Sequence, residues 1–108
     1  MQEIKIGLFL ENEQVSFETN DIQGKLDSII IEADNKVEIL ILSSLGYTIF
    51  HEKDYIGTYY YAPRTQISST DASMTDYLTF DKYNLNERLI ITVIGPKKTT
   101  INFIMRIE

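Results

Sequence analysis

The stretch DSIIIEADNKVEILIL, residues 27–42, constrains the fold more than any other part of the chain. Two runs of branched aliphatic residues flank Asp34-Asn35, and a two-residue polar break between apolar runs predicts a β-hairpin. With Asp34 and Asn35 central in the turn, Ile30 faces Ile39, Ile29 faces Leu40 and Glu32 faces Val37. The first two pairs fall on opposite sides of the ribbon, because side chains alternate along a strand. A ribbon apolar on both sides needs two coverings. One is the protein's own core; the other is either more of this chain or a partner.

The remaining segments follow the same β pattern. Ile4, Ile6, Leu8 and Leu10 alternate with Glu3, Lys5, Gly7 and Phe9 in a first strand, and the polar ENEQ (11–14) makes a turn into a short second strand at Val15 and Phe17, hairpin-paired with the first. Thr19-Asn20-Asp21 is turn chemistry, and Gly24 supplies a bend or bulge. After a break at Ser43–Gly46, YTIF (47–50) is a strand, HEKD (51–54) an exposed polar turn, and YIGTYYYA (55–62) a strand closed by Pro63. Residues 64–76 are poor in apolar side chains and rich in Ser, Thr and Asp, and a connection of that length marks a flexible or interaction loop. A short strand over 77–82 leads to a turn or single helical turn at 84–87. LIITVI (89–94) and TTINFIMRI (99–107), joined by Gly95-Pro96-Lys97-Lys98, predict a second hairpin apolar on both faces. No segment shows a sustained helical period. The expectation is one domain over residues 1–108: all-β, a small antiparallel β-sandwich or barrel of about 8–10 short strands.

Composition removes several functions. The chain has no cysteine, which excludes disulfides, thiolate metal sites and thiol nucleophiles. Its net charge is −6, with −7 in residues 1–54 and +1 in residues 55–108. An acidic chain without a basic stripe is a poor nucleic-acid ligand, since such binding draws on neutralised phosphates. No apolar run approaches the roughly 20 residues that span a bilayer, and the first residues lack secretory-signal features, so a soluble protein made without export is expected. The single histidine, His51, sits among charged residues with no evident nucleophile. Asp71, Asp76 and Asp81 fall on or beside the 64–76 loop, a poor platform for a carboxylate pair, and their spacing matches no calcium loop. No catalytic residue, cofactor or metal site is expected.

Seven tyrosines against five phenylalanines are the distinctive feature, and Tyr55, Tyr59, Tyr60 and Tyr61 fall close together. Tyr offers a large apolar body with a hydroxyl that seeks a partner, which suits interfaces as well as sandwich rims. Alternation puts Tyr59 and Tyr61 on one face and Tyr60 on the other. Arg64 leaves the strand on a backbone stiffened by Pro63 and is placed for a carboxylate contact or an ordinary surface role. The interface candidates are Tyr59, Tyr61, Arg64, Ile67, Met74 and Tyr77.

LIITVIG and VEILIL are rich in β-propensity and poor in charge, and such strands on an open edge would aggregate. Two ribbons greasy on both flanks favour self-association or docking to a larger body, with burial inside one sandwich as the competing explanation. The order SSLGYTIF, YIGTYYYAPRT, LNERLIITVIG over residues 26–107 resembles small structural proteins of tailed-bacteriophage virions. That resemblance implies a β-sandwich or barrel core, no catalysis, and service as capsid decoration, head–tail connector or tail component. The implied partners are copies of itself or capsid, connector or tail proteins, and the implied location is the virion, the protein being made in the host cytoplasm. The alternatives from the residues are a carbohydrate-binding sandwich presenting Tyr faces, and an accessory or inhibitor protein that adds a strand to a partner's sheet.

Overall fold

A computed structural model describes residues 1–68 and 78–108. Eight strands run β1 (Gln2–Phe9), β2 (Gln14–Glu18), β3 (Ile22–Ser43), β4 (Thr48–Tyr61), β5 (Arg64–Ser68), β6 (Leu78–Glu87), β7 (Leu89–Ile94) and β8 (Thr100–Ile107). Every pairing is antiparallel. The chain is all-β, and among the described residues no helix is long and apolar enough to cross a membrane.

Four strand paths lie side by side: β1 then β2, β8 then β7, β3, and β4. In one half, Ile6, Phe103, Ile31 and Tyr59 form a row across β1, β8, β3 and β4. In the other half, Phe17, Ile91, Ile41 and Phe50 form the matching row across β2, β7, β3 and β4. Between the halves every path is interrupted at the same level. The Leu10 amide donates to Thr99 O at 2.9 Å and the Gly95 amide to Glu13 O at 2.9 Å, which aligns the first two interruptions. The Thr100 amide donates to Asp34 Oδ1 at 3.0 Å, and Val37 pairs with Tyr55 beyond a register shift, which aligns the other two.

At this line the sheet folds over onto itself, and chain length requires it. Glu18 pairs with Ile90 at the far end of the second half, while Ile22 pairs with Glu87 at the far end of the first. Four residues at ~3.3–3.6 Å each cannot connect those ends unless the halves lie back to back. Phe50 and Tyr61, one from each half of β4, meet edge-on with ring centroids 4.6 Å apart. The result is a two-layer sandwich, sheet I (β1, β8, and the parts of β3 and β4 beside them) over sheet II (β2, β7, and the remainder). A ribbon folded in two so that its strands serve both layers is the winding of a jelly roll.

The core fills the fold. Phe103, Ile29, Ile31, Ile39, Ile41, Ile91 and Ile101 are fully buried, and burying such side chains contributes about 1.5–3 kcal/mol each. Gly95 has a packing role at the corner: a Cβ there would lie 2.6 Å from Val37 Cγ1 and 3.1 Å from Lys36 O.

Several expectations are corrected. Asp34-Asn35 is not a hairpin turn, because β3 runs through it, so Ile29 and Ile39 both face inward and Ile30 and Leu40 both face outward. β7 and β8 do not pair with each other, nor do β1 and β2. HEKD lies within β4, and Asn84–Glu87 within β6, where they pair with Ile22–Lys25. The break expected at Ser43–Gly46 is the hairpin turn between β3 and β4, where the Gly46 amide donates to Ser43 O at 2.9 Å.

The inward covering of the apolar runs VEILIL and LIITVIG follows the competing expectation, burial inside one sandwich. β3 and β7 lie inside the sheets, paired on both edges, and their inward flanks are buried by the chain's own strands. On their outward flanks Ile30, Leu40, Leu42 and Ile90 remain half-buried and Ile94 is exposed.

Candidate interaction surface

The open edges of the sandwich are where backbone groups have no partner. β4 pairs only with β3 among the described residues, which leaves its other side without a neighbouring strand. An unpaired edge is a template for another strand unless bulges or charges spoil it. The first part of β4 is spoiled in both ways. His51, Glu52, Lys53 and Asp54 are all exposed, the register with β3 shifts on either side of Val37, and Asp54 takes a left-handed φ of 55°. His51 Nε2 lies 2.8 Å from Glu38 Oε2, a cross-strand pair in which no nucleophile takes part.

The last part is bare. Gly57, Thr58, Tyr59, Tyr60 and Tyr61 pair with Ala33, Glu32, Ile31, Ile30 and Ile29 without a break in register. No residue from Tyr55 to Ala62 is charged. Tyr59 is 56% exposed and Tyr60 59% exposed. As expected from alternation, Tyr60 points to the outer face beside Ile30, and Tyr59 and Tyr61 share the other. Those two differ in environment. Tyr61 is half-buried against Phe50, while the Tyr59 ring sits edge-on to Tyr55 at 5.6 Å.

Tyr55 anchors this cluster. It is buried, and its hydroxyl donates to Ile31 O at 2.5 Å. Burial pushes its phenol up to about 12, and burial likewise raises Tyr61. The rings of this cluster meet edge-on or tilted rather than stacked.

Arg64 is half-buried and turned inward: its Nη1 donates to Pro63 O at 2.8 Å and to Asp27 O at 3.1 Å. Lys82, its cross-strand partner on β6, holds Asp27 Oδ1 at 3.0 Å and also the Glu108 carboxylate. The Lys82 ammonium holds Asp27 below the usual carboxylate range, and the two carboxylates hold Lys82 above its own. Asp27 thus fastens both strands of the β5–β6 ribbon at its base. Beyond that base, among the described residues, β5 pairs only with β6, and Phe80 is 67% exposed.

Among the interface candidates the structure therefore brings Tyr59, Tyr61 and Arg64 to one end of β4. Ile67 lies on β5, its side chain outside the described ones, and Met74 and Tyr77 lie outside the described residues. The 64–76 stretch opens as strand β5, and residues 69–77 lie outside the description.

Sequence reasoning missed Asp27, Lys82 and Glu108, which are far apart in the chain. One signal pointed to Asp27. Buried positions are even at Ile22 and Leu26 and odd from Ile29 on, and that switch requires the bulge found between Leu26 and Ser28. Glu87 was missed too. It is buried, accepting from the Ser43 hydroxyl and, at 2.7 Å, from the Tyr47 hydroxyl. With both oxygens engaged it ties the strand ends together. Among the described residues no group of three or more His, Asp or Glu is gathered to hold a metal ion. No known protein family and no curated protein matches this chain.

Proposed function

We propose that this protein is a non-catalytic structural component that works by protein–protein contact, in the setting its sequence resembles: the virion of a tailed phage, as capsid decoration, connector or tail part. The observation that carries the contact role is the bare edge Gly57–Tyr61, regular in register, uncharged, and free on its outer side among the described residues. A strand edge left unguarded in a chain that guards the start of the same strand is kept for a partner. Winding alone does not choose a role, since jelly rolls serve capsid and lectin domains alike.

The test is incorporation. Particles purified from the native source should contain this chain at a fixed ratio to the other virion proteins by mass spectrometry, and Tyr60→Lys should reduce that ratio. Absence of the chain from particles, while it is abundant in the lysate, would remove the virion role.

A further inference from the structure

We infer that the occupant of the bare edge is a second copy of this chain, with β4 pairing antiparallel to the partner's β4 about a two-fold axis through Tyr59. This rests on the contact role proposed above and names its partner.

The segment is self-complementary. In a register centred on Tyr59, Thr58 stands opposite the partner's Tyr60, Tyr59 opposite the partner's Tyr59, and Gly57 opposite the partner's Tyr61. Aromatic and aromatic–β-branched cross-strand pairs are the favourable ones, and an aromatic ring across from an edge glycine covers the backbone that glycine leaves bare. Each of these pairings is satisfied in one register and repeated by symmetry. No charge lies within the segment, so nothing repels its own copy.

The limits of the segment match a short symmetric contact. Left-handed φ values at Asp54 (55°) and Gly57 (99°) end the regular edge on one side, and Pro63 ends it on the other. Sheet I has four strand paths, and joining two copies at β4 would give one continuous antiparallel sheet of eight. The opposite edge of sheet I, β1, is not an equal candidate. Its outward face carries Glu3 and Lys5, and residues Thr19–Ile22 form the other wall of a groove of about 310 Å3 beside it.

Because the chain has no cysteine, a single introduced one reports on this register alone. On the two-fold axis two Cα atoms lie within about 4.5–5.5 Å, inside the span a disulfide bridges. Tyr59→Cys should therefore give a covalent dimer under mild oxidation, and Lys53→Cys and Lys5→Cys should not. Sedimentation velocity on the unmodified chain should show a monomer–dimer equilibrium that Tyr60→Lys weakens at least about tenfold, with unchanged thermal unfolding. Three results would overturn the two-fold pairing. One is a monomer at every concentration, with no covalent dimer from the Tyr59→Cys variant. Another is cross-linking of the Tyr59→Cys variant only to the Lys5→Cys variant when the two are mixed. The third is loss of particle incorporation by Tyr60→Lys in a chain that never self-associates, which leaves the contact role standing and assigns the edge to a different protein.

Discussion

Among the described residues sheet I ends in two edges with no further strand, and they are built differently. β1 holds eight consecutive pairs with β8 without a bulge, yet exposes Glu3 and Lys5 on its outer face, with Glu3 lying 3.4 Å from Arg106. The end of β4 holds five consecutive pairs with β3 and exposes Thr58 and Tyr60 instead. Unbroken register is common to both, so register does not separate a guarded edge from a receptive one. Side-chain chemistry does: a charge brought against another strand must be desolvated, whereas a tyrosine brings apolar area and a hydroxyl that tolerates either environment. The same contrast recurs within β4, whose first half combines four exposed ionisable residues, a left-handed residue and a shifted register.

That comparison can be broken or sharpened by substitution. The largest effect belongs to the core between the edges. Phe103, fully buried in the row from Ile6 to Tyr59, should cost about 3–5 kcal/mol when replaced by Ala, measured by chemical denaturation, and should loosen both edges together. Tyr60→Lys should do the reverse, disrupting association while moving stability by no more than about 0.5 kcal/mol. Tyr55→Phe removes the bond to Ile31 O from behind the receptive edge and should cost about 1 kcal/mol, with weaker association as a secondary effect. The same phenol sets an alkaline limit. Its folded value is raised to about 12 from 10.0, so its contribution is fully present below pH 10 and is lost as pH rises from 10 to 12. An ultraviolet titration of the tyrosines should therefore show the last phenols ionising together with unfolding. The smallest expected effect is at the guarded edge: Lys5→Ile should leave stability nearly unchanged and add weak self-association through β1.

Much of the fold is legible in the sequence, and the failures share one cause. ENEQ, Asp34-Asn35, HEKD and Gly95–Lys98 are all breaks in the apolar pattern, and all four coincide with real bends of the chain. Each reads as a turn between paired strands, and each is a corner where a strand crosses from one sheet to the other. Turn chemistry announces that the chain bends but not what it bends toward, because the partner is chosen by non-local pairing. Parity does hold the answer for β3. Ile29, Ile31, Ala33, Val37, Ile39 and Ile41 keep one parity through the break, as a continuing strand requires, whereas the two-residue turn would reverse it. For the interaction surface, the tyrosine cluster is visible, but its worth depends on which strand is an edge. Nothing local says that β4 is one. Arg64 illustrates the limit: its place after Pro63 suggests an outward contact, and the bulge at Asp27 turns it inward.

The central claim is that the receptive edge is Gly57–Tyr61, and amide hydrogen exchange tests it most directly. Exchange should be compared between the dilute monomer and the assembled protein, whether dimer or particle. On assembly the outward-facing amides among Thr58–Tyr61 should gain protection while those of β1 exchange as before. Unchanged exchange at Thr58–Tyr61, or new protection confined to β1, would contradict the account.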